Sequence, residues 1–231
     1  MTWTPRPIRA VPVATFLALL IALQPVASQE SCYDWNTPDF FRAATPTSVE
    51  RCLDAGADPN ARDEDYGMTP LYAAAAYSET PAVVQVLLNA GADPNARSEG
   101  GMTPLHVAAA LSEALAVVQV LLNAGADPNA RSEGGWIPLH FAAAYSEASA
   151  VVQVLLNAGA DPNARGETSW TPLHFAAAHS EAPAVVQALL NAGADPSARD
   201  VKGNVPFEYV PEDSPLRSTD VYWRLYKGRF E

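Results

Sequence analysis

From Thr69 to Arg199 the chain alternates short apolar runs with polar loops, and the whole pattern returns every 34 residues. One unit shows the logic. Thr103 precedes Pro104, an N-cap followed by the proline that a first helical turn accepts. Leu105, Ala108 and Ala109 then stand at i, i+3 and i+4, so the spacing predicts a short helix of about two turns with one apolar face. Ser112 and Glu113 are placed to open a second helix, with the acid near its positive end. Val117, Val118, Leu121 and Leu122 supply that helix with its stripe. Gly125 marks its end, Pro128 forbids its continuation, and ADPNARSEGG reads as an extended loop or hairpin.

The copies align on Thr69, Thr103, Ile137, Thr171 and Val205, each 34 residues from the last. They also align on Gly56, Gly91, Gly125, Gly159 and Gly193, where the first interval is 35. Two short helices bury too little to close a core alone. Stacked copies hide one another's apolar faces, so near-identical units imply a solenoid with atypical end units.

TPLHVAA at Thr103 and TPLHFAA at Thr171, each followed by LLNAGAD, resemble the ankyrin repeat. TPLYAAA at Thr69 and IPLHFAA at Ile137 depart from it by one letter. The family period is about 33; the extra residue falls between the two helices, where Ser-Glu-Ala or Ser-Glu-Thr replaces the usual Gly-His. Tetratricopeptide arrays share the period of about 34, but their aromatic and glycine signature is absent from this sequence. The resemblance covers roughly residues 36–229. It implies an all-α solenoid, an ankyrin stack with a helix-turn-helix and a β-hairpin-like loop in each unit. The wording of the TPLH and GADPNAR motifs resembles bacterial members.

On this reading residues 29–65 form a capping segment and a shortened repeat. Four repeats follow at 66–99, 100–133, 134–167 and 168–200, and 201–231 is a partial repeat with a C-terminal cap. Pro211 and Pro215 interrupt the fifth unit, and Tyr222, Trp223 and Leu225 are expected to close the far end. Phe141 and Phe175 are placed by the resemblance in the core between repeats.

The first residues differ in kind. Arg6 and Arg9 precede an apolar run of 13 residues, Val11 to Leu23, and Val26-Ala27-Ser28 offers small side chains for cleavage. Residues 1–28 therefore read as a secretory signal peptide, cut after Ser28 or Ala27, an uncleaved anchor being the alternative. Cys32 and Cys52 are the two cysteines, and in an exported chain they are expected to pair, with Trp35 tying the leading strand over the first helices.

Charge narrows the partners. With 26 acids against 14 cations, the chain lacks the clustered cations that nucleic acid or anionic lipid demands. Loss of residues 1–28 removes two arginines and no acid, leaving 12 − 26 = −14.

Candidate chemistry dissolves into ladders. His106, His140 and His174 recur once per unit, too far apart on neighbouring helices to share a metal, and the resemblance implies that they bond loop backbone. Asp58, Asp93, Asp127, Asp161 and Asp195 also recur, as do Glu79, Glu113, Glu147 and Glu181. Copying spreads like groups along a line, whereas catalysis needs unlike groups converging. The reading is a non-enzyme without cofactor or metal, a monomer that binds a protein. The positions where copies differ carry the expected contact surface: Tyr66, Met68, Tyr77, Met102, Leu111, Trp136, Tyr145, Trp170 and His179, with the loop tips Glu99, Glu133 and Glu167. By resemblance these line a concave face. Alternatives are an exported inhibitor or protector of one enzyme, a secreted effector acting on another cell, and a hydrolase with a site in the C-terminal tail.

Overall fold

A computed structural model describes residues 32–78, 80–111, 115–146 and 149–230, so the expected signal segment and Glu79, Glu113 and Glu147 lie outside the described residues. Helix pairs follow one another along the chain: α1 (Pro38–Ala43) with α2 (Pro46–Asp54), α3 (Pro70–Tyr77) with α4 (Pro81–Asn89), α5 (Pro104–Ala110) with α6 (Leu115–Asn123), α7 (Pro138–Tyr145) with α8 (Ser149–Asn157), and α9 (Pro172–His179) with α10 (Pro183–Asn191). A 3-10 turn at Pro206–Tyr209 takes the place of the next first helix, and α11 (Asp220–Gly228) ends the chain. First helices pack on first helices and second on second, the alanine-rich first row more closely. Among the described residues there is no β-strand. The loops are nonetheless hairpin-like: Ser98 N–H donates to Met102 O, and Glu99 N–H donates to Tyr66 O of the preceding loop.

The core is one layer of apolar side chains between the two helix rows. Leu105, Leu139 and Leu173 from the first helices, and Leu87, Leu121, Leu155 and Leu189 from the second, are fully buried. The second helices end as the sequence requires. Ala126 N–H reaches Leu121 O and Gly125 N–H reaches Leu122 O, with Gly125 at φ 88°, a left-handed turn that costs any other residue a clash at Cβ.

Ser112, expected to open a second helix, lies outside the described residues, but the hydroxyl bonds of two of its counterparts are seen. Ser78 Oγ accepts from Thr80 N–H and Ser180 Oγ from Ala182 N–H, bending the connection two residues ahead of the helix. The helix starts at Pro81 or Pro183, so Glu181 precedes its helix rather than opening it.

Polar ladders explain why NAGADPNAR is copied so faithfully. Asn95 Nδ2 donates to Gly125 O and its Oδ1 accepts from Asp127 N–H, both in the next repeat. Asn60, Asn129 and Asn163 repeat the pair. In the fourth repeat Ser197 stands where Asn would, and its hydroxyl turns back to Asp195 Oδ1. With no full repeat beyond it, the bridging amide has nothing to bridge. Arg97, Arg131 and Arg165 likewise each reach the backbone carbonyl of the next loop's arginine.

Both ends are closed differently. At the N-terminal end Cys32 is bonded to Cys52, which is fully buried on α2. Trp35 packs on Phe40 and Phe41 and gives its indole N–H to Asp58 O. Asn36 Nδ2 bonds Ala61 O and Met68 O, two carbonyls that correspond to those His140 bonds three loops further along the array. At the C-terminal end Val221, Leu225 and Gly228 of α11 face inward, and Gly228 lies so close to Pro196 that it has no room for a Cβ. Leu225 closes the stack as expected and Tyr222 is half-buried, but Trp223 does not: it is 55% exposed, because it sits on the side of α11 away from Val221 and Leu225.

Candidate functional site

Of the large apolar residues left exposed, Leu111 and Tyr145 lie at the ends of first helices, Tyr66 at the first loop tip, and Val201, Trp223 and Phe230 toward the C-terminal end. Residues four apart share a helical face, which pairs Val107 with Leu111, Phe141 with Tyr145, and Phe175 with His179. Leu111 is 42% and Tyr145 60% exposed, while Val107, Phe141 and Phe175 are half-buried. Phe141 and Phe175 do lie between repeats, against His106 and His140 of the repeat before, but half-buried rather than sealed in the core as expected. Leu139 and Leu173 occupy the core-facing side of the same helices, and the phenylalanines lie two residues on. The i, i+4 relation to Tyr145 and His179 was the signal that could have found them.

Phe175 joins the two tryptophans. Its ring centroid lies 5.0 Å from Trp136 and 5.2 Å from Trp170, both nearly edge-to-face. His179 tilts toward Trp170 at 6.3 Å. Each tryptophan is also seated in the next loop along the stack. In three loops the residue after the arginine closes the turn with its side chain: Asp63 accepts from Met68 N–H, Ser98 from Met102 N–H and Ser132 from Trp136 N–H. In the next loop that residue is Gly166, and the ring of Trp136 fills the space a Cβ would need. In the last it is Asp200, which accepts from the Trp170 indole at 3.2 Å and from Tyr209 OH. Restoring the side chain by Gly166→Ser is expected to lift Trp136 off the loop, costing about 1–3 kcal/mol of overpacking. Urea unfolding and a red-shifted tryptophan emission check it.

The remaining expected positions do not all gather. Tyr77 is half-buried under the Arg42 guanidinium, 4.9 Å from its ring centroid, at the N-terminal end. Tyr66 is 63% exposed at the first loop tip. Met68 and Met102 are half-buried just ahead of α3 and α5. Glu99, Glu133 and Glu167 project at successive loop tips, exposed, their backbone N–H groups tied to the loop before.

The buried histidines and Asp200 are all engaged. His106 Nδ1 accepts from Thr103 N–H at 3.0 Å, and Nε2 lies 3.0 Å from Trp136 O, which makes the ring neutral with its proton on Nε2. His140 and His174 repeat the arrangement with Trp170 O and Asn204 O. Burial drives His106 and His140 down to about 4, and lowers His174 in the same direction. Burial pushes the Asp200 carboxyl up, but donors from Tyr209, Asn204, Lys202 and Trp170 outweigh it and hold the group at about 2. Every nitrogen of the histidine ladder is committed to backbone or to a neighbouring side chain, so the ladder works as mortar between repeats.

A stack of paired helices around one continuous apolar core defines a repeat protein of the solenoid class. The family model described as ankyrin repeats in three copies matches residues 41–132 and 109–200, and the chain belongs to the ankyrin-repeat family. Ankyrin repeats are, as a family, protein–protein interaction modules and typically non-catalytic. No curated protein matches the chain. Among the described residues no helix is long and apolar enough to cross a membrane.

Proposed function

We propose that this chain is an exported, monomeric binding protein that holds another protein on the outer face of its first helices and the adjoining loop tips, without catalysing a reaction. One observation carries the reading: Leu111 and Tyr145 stand exposed at the ends of neighbouring first helices, with Phe175 and Trp136 half-buried on the same side, a strip of apolar side chains apart from the exposed Val201, Trp223 and Phe230 of the C-terminal end. Aromatic anchors on a rigid surface suit such a role, since little entropy is lost on docking. The Cys32–Cys52 bond supports export, because disulfides persist in oxidising compartments. The absence of catalysis is supported by the histidines and Asp200, whose polar atoms are spent on structural bonds.

A photo-crosslinking phenylalanine placed at Tyr145 is expected to capture the partner in the native compartment. The same probe at Gln119, exposed on the second-helix side of the stack, is expected to capture none. Equal capture from both positions would assign binding to another surface.

A further inference from the structure

Resting on that face being the binding surface, we propose that its occupant is a proline-rich segment in the polyproline II conformation. It runs along the stack and turns basic side chains toward the loop tips.

The first reason is pitch. Packed neighbouring helices sit about 8–10 Å apart, so equivalent side chains on α5, α7 and α9 recur at that spacing. A polyproline II helix has three residues per turn at about 3.1 Å each, or about 9.3 Å per turn. One turn therefore matches one repeat, and every third residue meets the same row. An α-helix, with its pitch of about 5.4 Å, and a β-strand, with about 6.7 Å between residues on one side, fall out of step within two repeats.

The second reason is chemistry. Polyproline II leaves its carbonyls without internal partners and offers flat rings, and aromatic-lined grooves recognise it. The strip supplies rings at Phe141, Tyr145, Phe175 and Trp136. It also supplies a free donor. Trp35 and Trp170 give their indole N–H groups to Asp58 O and Asp200, whereas the Trp136 indole N–H has no acceptor among the described residues, on a ring that is half-exposed.

The third is charge. Glu99, Glu133 and Glu167 stand exposed at the tips, one per repeat, beside the residues that lead into each first helix. The arginines of the same loops already give N–H groups to carbonyls of the next loop. Those arginines keep their charge, but Asp93, Arg97 and Glu99, Asp127, Arg131 and Glu133, and Asp161, Arg165 and Glu167 leave one net negative charge per loop, which complements a cation at every third residue of the segment.

The test uses the whole chain and the synthetic peptide (Pro-Pro-Arg)4, about 37 Å long in this conformation. Its prolines occupy two rows and its arginines the third. A peptide of identical composition with the arginines scattered over all three rows is the register control, and (Pro-Pro-Glu)4 is the charge control. Followed by tryptophan emission and calorimetry, the first peptide is expected to bind roughly tenfold more tightly than the scattered one, with (Pro-Pro-Glu)4 weaker still. Trp136→Phe keeps an aromatic ring but removes the N–H, and is expected to weaken binding severalfold with the fold intact by circular dichroism. Glu133→Gln with Glu167→Gln is expected to flatten the salt dependence. Equal affinity for ordered and scattered peptides overturns the proposal, as does unchanged affinity in Trp136→Phe. A protein that crosslinks its partner through position 145 yet binds neither arginine peptide overturns the polyproline occupant and leaves the face itself standing.

Discussion

Lowering the pH from 7 to 5 is expected to remove roughly 4 kcal/mol of folding stability through two buried imidazoles. His106 and His140 titrate near 6.5 in the unfolded chain and near 4 in the folded one, because burial disfavours the charged ring and the Nδ1 lone pair is occupied by a backbone N–H. Between those values the unfolded state binds more protons, so stability rises with pH through the window and falls as acid is added. At pH 5 each ring contributes roughly 2 kcal/mol of loss, and by pH 4 roughly 3. His174, shifted in the same direction, adds with the same sign. Asp200 acts below this window: its carboxyl lies near 2 folded and 3.8 unfolded, so its contribution disappears as the pH drops from about 4 to 2. Relief of the chain's net negative charge works the other way as the pH approaches its pI of 4.7. The comparison with His106→Gln separates the two effects. Urea midpoints measured from pH 7.5 to 4.5 are expected to fall less steeply in the variant. Parallel curves for variant and parent would mean that His106 is not the proton acceptor.

Reduction of the Cys32–Cys52 bond is expected to cost about 3 kcal/mol, the chain-entropy value for a loop of this length. The loss is expected to be local. In a stack each unit contacts its neighbours alone, so an end unit can fray while the middle persists. The bond ties the segment bearing Trp35, Phe40 and Phe41 to α2, and those rings cover the first helix pair. Amide exchange under a reductant is expected to accelerate across α1 and α2 and to leave α7 and α9 as they were. The Cys32→Ser variant, which leaves the buried Cys52 in place, is expected to reproduce the pattern without reductant. Uniform acceleration through all repeats would show that the N-terminal cap supports the whole array rather than its own end.

Much of the architecture was legible in the sequence because the information is local and repeated. Thr-Pro at most first-helix starts, Gly-Ala-Asp at each second-helix end and the apolar stripes between them act within a dozen residues, and copying them makes the period plain. The shortened first unit was equally readable, since Thr45 and Pro46 restart a helix with the same signal, and Thr45 caps it through Ser48. The loop histidines also did what their place in the motif implied.

What the sequence by itself determined was the unit and the need to stack its copies. The tertiary structure alone decided what happens where units meet. Phe141 and Phe175 reach the open face because the neighbouring first helices, packed closely through alanine, leave the space behind them to Leu139 and Leu173. The seat of Trp136 depends on the missing side chain of Gly166, and the anchorage of Trp170 on Asp200. Each partner lies 30 residues away, in the next loop of the stack, and no pattern local to one helix can express that. Trp223 is exposed for the same reason: α11 is amphipathic in sequence, but which side it presents was fixed by the approach of Gly228 to Pro196. Local signals choose elements, whereas contacts between distant segments choose faces, and the binding surface is made of faces.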